Sequence, residues 1–60
     1  MTKRDKKLYL FYLNEKANAA SSMMHNSTNE KKKEFYYGNY MAFVEMTSFT
    51  NNIHAEDETH

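Results

Sequence analysis

The sequence predicts an all-α protein, a two-helix antiparallel hairpin that dimerises into a four-helix bundle. Three observations carry this prediction. The 60 residues include no proline and a single glycine, so almost no obligatory turn chemistry is available. A polar stretch from His25 to Asn29 divides the chain into two segments of helical length. Each segment repeats its apolar residues at helical spacing. The expected organisation is one domain over residues 1–55, with a helix over about 3–25, a turn over about 26–28 and a helix over about 28–53. Residues 54–60 read as an acidic flexible tail.

The first helix opens at Thr2, where Thr2-Lys3-Arg4-Asp5 can form a capping box. Leu10, Leu13, Ala17, Ala20 and Met24 then recur at 3-4-3-4 spacing and form one stripe. Tyr9, Tyr12 and Met23 widen it, while Lys7, Asn14, Asn18, Ser21 and His25 take the opposite face.

The second helix opens with Ser27-Thr28-Asn29-Glu30, an S-x-x-E capping box. Phe35, Ala42, Met46, Phe49 and Ile53 define its main stripe. Tyr36, Tyr40 and Phe43 form an adjacent one, continued round by Tyr37 and Val44. Only a narrow strip around Glu34, Gly38, Glu45 and Ser48 is polar, so this helix has to be covered from more than one side. A small α+β fold with a β-hairpin at 35–43, turning at Gly38-Asn39, is the competing reading. The apolar residues there do not alternate, and Lys31-Lys32-Lys33-Glu34 runs straight into the segment, which favours the helix.

Folding the two helices back on each other sets Ala17 and Ala20 near Phe35 and Tyr36, and Leu10 near Ala42, Phe43 and Met46. Small residues then meet large ones. One hairpin leaves the second aromatic stripe uncovered. Tyr36, Tyr37, Tyr40, Phe43 and Val44 are therefore the expected contacts with a second copy or a partner protein, with Met23 and Met41 as further candidates. Size points the same way, since a chain this short buries only about 60% of its unfolded surface.

Function is read mainly by exclusion. With no cysteine there is no thiolate nucleophile, disulfide or cysteine-held metal. Ser21, Ser22, Ser27 and Ser48 have no strand–turn–helix elbow around them. Glu34 and Glu45 stand roughly 16 Å apart along a helix, too far for a carboxylate pair. His25, His54 and His60 lack a frame that would hold an ion. No enzyme activity and no cofactor are expected. The longest apolar run, Leu8 to Leu13, is far short of a membrane span and meets Asn14-Glu15-Lys16 where a signal peptide would have a cleavage site. A cytoplasmic chain with no membrane contact is expected, in which Asn26-Ser27-Thr28 is a polar turn rather than a glycosylation site.

Two basic clusters sustain an alternative, a small nucleic-acid-binding protein. They are Lys3, Arg4, Lys6 and Lys7 at the start, and Lys31, Lys32 and Lys33 at the turn. The hairpin places them at opposite ends, and the first cluster beside the acidic Glu56-Asp57-Glu58. Net charge is zero, so no general attraction for polyanions is expected. The leading expectation is a protein-interaction module. In style, a tiny cysteine-free chain with Glu34-Phe35-Tyr36-Tyr37-Gly38 in a long second helix is similar to small accessory proteins of bacteriophages and mobile elements. That resemblance implies a regulator, inhibitor or adaptor that acts by occluding a larger protein.

Overall fold

The computed structural model describes residues 1–56. Two helices, α1 (Lys3–Asn26) and α2 (Glu30–Asn51), pack antiparallel across a link at residues 27–29. The body is elongated, with extents of 52 × 15 × 9 Å. The architecture is the all-α hairpin that the apolar spacing predicts. The alternative β-hairpin at 35–43 does not form, because α2 runs unbroken through Gly38 and no residue there has a positive φ.

The helix ends follow from local chemistry. Thr2 caps α1, its Oγ1 accepting from the Asp5 amide at 3.1 Å. At the turn the expected Ser27 box gives way to a different cap. Asn29 starts α2, and its Oδ1 accepts from the amides of Lys31 at 2.9 Å and Lys32 at 3.3 Å. Ser27 is already committed to ending α1, where its amide donates to Met24 O, and its Oγ accepts from the Asn29 amide. A residue closing one helix is too far back to cap the next, so the asparagine takes the role.

The far end is closed where the segment after α2 meets the start of the chain. Thr2 and Glu56 form a parallel bridge, in which Lys3 N donates to Glu56 O and Glu56 N donates to Met1 O, each at 3.0 Å. The segment read as a tail thus returns to the start of the chain over residues 54–56. Asp57, Glu58 and His60 lie outside the described residues.

The seam between the helices is a regular 4-3 repeat on both sides. On α1, Leu13 is fully buried and Ala20 nearly so, while Leu10, Ala17 and Met24 are half-buried. This is the stripe read from the sequence. On α2 the inward line is Tyr36, Tyr40, Phe43 and Thr47, each half-buried, and Thr50, which is buried. The stripe expected there, Phe35, Ala42, Met46 and Phe49, faces solvent instead. Only Ile53 of that set is half-buried, just beyond the helix end.

Spacing explains the exchange of faces. A seam between two helices follows positions four and three apart, which keep to one side of a slowly supercoiling pair. Two threonines occupy those positions near the C-terminal end of α2. Thr47 tolerates burial because its hydroxyl donates to Phe43 O at 2.8 Å, inside its own helix.

Candidate interaction face

Register is set by contacts at the closed end. Lys6 Nζ donates to Asn51 O at 3.1 Å and to Ile53 O at 2.9 Å, and Thr2 pairs with Glu56. Carried up the hairpin, this register sets Ala17 and Ala20 level with Tyr40 and Tyr36. Each pair sets a small residue level with a large one, the arrangement that close packing favours.

The same register organises the exposed residues. Each residue advances about 100° around its helix. Tyr12, Ala19 and Met23 lie about 100–140° back from the seam on α1, and Leu8 about 160° back, on the side turned away from α2. Phe35, Ala42, Met46 and Phe49 lie about 80–140° back on α2. In antiparallel helices, equal rotations from a shared seam fall on the same side of the pair. These residues therefore form one face.

They are also level in pairs: Leu8 with Phe49, Tyr12 with Met46, and Met23 with Phe35. All six of these large side chains are at least 41% exposed, and Phe49 reaches 71%. Ala19 and Ala42 occupy the gap between the second and third pairs. At the turn end, Met23, Lys32 and Tyr36 share a shallow cleft with the link residues.

Aromatic packing gives the face some fixed points. The Tyr9 and Tyr12 rings stack at 6.3 Å, and Lys16 Nζ sits 5.4 Å from the Tyr12 ring centroid. Phe35 meets Tyr36 edge-on at 5.4 Å. The half-buried members of these pairs, Tyr9 and Tyr36, tie the exposed ones to the seam.

The residues expected to meet a partner are split by the fold. Tyr36, Tyr40 and Phe43 line the seam within the chain. Tyr37 and Val44 are exposed on the opposite face, and Met41 on the outer side of α2. The α2 half of this face, Phe35, Ala42, Met46 and Phe49, consists of residues that hydrophobicity alone assigns to the core, and Met23 on α1 is among the contacts expected from the sequence. The signal that finds it is the 4-3 spacing of Tyr36, Tyr40, Phe43, Thr47 and Thr50, which fixes the seam and leaves the larger apolar groups outside.

The basic clusters stand at opposite ends of the molecule. Lys3, Arg4, Lys6 and Lys7 are at the closed end, and Lys6 is held by the two carbonyls of the α2 terminus. Lys31, Lys32 and Lys33 are exposed in the first turn of α2. No group of histidine and acidic residues suited to a metal ion occurs among the described residues. His54 stands in a cleft with Lys3, Lys6 and Lys7, a cationic setting unsuited to a metal ion. Among the described residues, no helix is long and apolar enough to cross a membrane.

No protein family, no curated protein and no solved structure matches this chain.

Proposed function

We propose that the chain is a non-enzymatic interaction module of the cytoplasm, a regulator, inhibitor or adaptor that acts by binding a larger protein. Its binding surface is the face of Leu8, Tyr12, Met23, Phe35, Met46 and Phe49. The observation that carries this reading is the exposure of these six large apolar side chains on a two-helix body, from 41% for Met46 to 71% for Phe49. Contiguous apolar patches of this kind mark association surfaces in small proteins. Tyrosine, phenylalanine and methionine are also the types enriched in the centres of such surfaces. The style shared with phage and mobile-element accessory proteins agrees with a regulator of this sort.

Nucleic-acid binding is the weaker reading. It calls for Lys3, Arg4, Lys6 and Lys7 to act with Lys31, Lys32 and Lys33 along one backbone, and the hairpin separates the two groups by its own length.

The test compares the wild-type chain with Met46→Glu/Phe49→Glu as immobilised baits in extract of the native host. Both altered residues are exposed, so helicity by circular dichroism should match. The expected result is one near-stoichiometric protein held by the wild type and lost by the variant. Equal retention by both baits removes the assignment to this face. Retention of no such protein by the wild type removes the reading altogether.

A further inference from the structure

We infer that the cleft at the closed end of the hairpin binds a small amphiphilic anion, a medium-chain fatty carboxylate. The site lies apart from the apolar face and does not depend on it. Lys3, Lys7 and Leu10 stand forward of the seam on α1, whereas that face lies back from it.

Shape supports this first. The segment after α2 turns back beside the start of α1 and leaves a cleft of about 490 Å³ between them. Small-ligand sites run from roughly 300 to 1,000 Å³. Leu10, Ile53 and Ala55, all half-buried, supply its apolar lining. Lys3, Lys6, Lys7 and His54 supply its polar part. An acyl chain suits the first group and a carboxylate the second. A bare inorganic anion would leave the apolar lining wet.

Charge supports it independently. Lys6 is half-buried, and its ammonium is held by two backbone carbonyls, those of Asn51 and Ile53. An ammonium has three donors, so one remains. No carboxylate among the described residues pairs with Lys6 or with Lys7. A cation drawn partly out of water without a counter-charge is costly, and an anion beside it gains more than at an open surface.

The other charges of this end are placed so as to leave the cleft cationic. Asp5 projects from the far side of α1, about 160° from Lys7. Glu56 is exposed and is held through its backbone, in the bridge to Thr2. Lys3 and Arg4 make further contacts of their own, which leaves Lys6 and Lys7 as the cations that serve a ligand. Asp57 and Glu58, outside the described residues, carry the chain's own competing carboxylates.

Titration of the isotope-labelled full chain with sodium decanoate, kept below its micellar range, tests the site by NMR. Saturable shifts are expected at the amides of Lys7, Leu10, Ile53 and His54. Affinity should rise from hexanoate to decanoate, by up to about fourfold per buried methylene. Decyl maltoside, with the same chain and a neutral head, should bind far more weakly.

Two variants locate the ligand. Lys7→Gln alters an exposed residue, so helicity should hold while decanoate binding weakens roughly threefold. Ala55→Glu sets a carboxylate on the lining and should abolish the response. Absence of saturable shifts in the wild type, as when the chain's own carboxylates already serve the lysines, overturns the inference. An equal response to decyl maltoside, or binding unchanged in both variants, overturns it too. Shifts centred on Leu8, Tyr12, Met46 and Phe49 would move the ligand to the apolar face and overturn the cleft as its site.

Discussion

Lys6, in the first turns of α1, donates to the carbonyl of Ile53 at 2.9 Å and so caps a helix it does not belong to. Its ammonium also reaches Asn51 O at 3.1 Å. The last turn of α2 carries no basic residue of its own. One side chain therefore satisfies the last carbonyl of α2 and one just beyond the helix, and ties the segment after α2 to the start of α1.

Replacing that lysine with methionine keeps the stem and removes the donors. Lys6→Met should lower stability by about 1–2 kcal/mol, the range for hydrogen bonds made by a charged group that is only partly shielded. In a domain this small, that is a fall in melting temperature of about 4–8 °C per kcal/mol. Thermal unfolding followed by circular dichroism checks it. A melting temperature equal to wild type would show that water serves those carbonyls as well.

Leu13 is the largest fully buried side chain in the seam. Leu13→Ala removes its packing with no neighbour able to collapse fully into the space, at a cost of about 2–5 kcal/mol. A chain of this size holds roughly 3–5 kcal/mol in reserve. The variant should be largely unfolded at ordinary temperature, seen as lost helical ellipticity. A folded Leu13→Ala with a melting temperature near wild type would contradict the placement of the seam.

The turn offers a direct comparison of two caps. Asn29→Ala leaves the amides of Lys31 and Lys32 without their acceptor and should cost about 1 kcal/mol. Ser27→Ala should cost less, because its hydroxyl makes only 3.3 Å contacts within the link. Denaturant midpoints of the two variants give the order. The reverse order would restore Ser27 as the cap of α2.

Gly38 sits in mid-helix with ordinary φ, and a Cβ placed there meets nothing within 4 Å. Alanine should fit without strain and stabilise the helix by about 0.5–1 kcal/mol through its better helix propensity and a less free unfolded chain. A rise in melting temperature is expected, with the sedimentation mass unchanged. A fall would mean that something outside the chain approaches the backbone at that point.

Much of this fold is legible in the residues. The Leu10-Leu13-Ala17-Ala20-Met24 stripe of α1 is where the spacing puts it, because there hydrophobicity and 4-3 periodicity agree. On α2 they disagree. Phe35, Met46 and Phe49 outweigh Thr47 and Thr50 on any scale of apolar character, so the stripe chosen by hydrophobicity lies about 80–140° from the real seam. What decides is shape. Half-buried Tyr36 and Tyr40 stand level with the small Ala20 and Ala17 of α1, and a threonine that bonds its own backbone is cheap enough to bury on the same line. The candidate interface shifted with the seam, from Tyr36, Tyr40 and Phe43 to the residues first counted as core. The clasp of Lys6 on the α2 terminus has no local signature at all, since its partners are backbone carbonyls 45 and 47 residues away.

The Thr2–Glu56 bridge also has a kinetic meaning. One end of the hairpin is held by a covalent link, and only the other end is free to part. Unzipping therefore has a single place to begin. Two backbone hydrogen bonds and one lysine stand guard there, and every seam contact from Leu10 to Met24 lies behind them in order. The rate at which the amides of Lys3 and Glu56 exchange with solvent reports how often that gate opens, and so how often the whole seam is at risk.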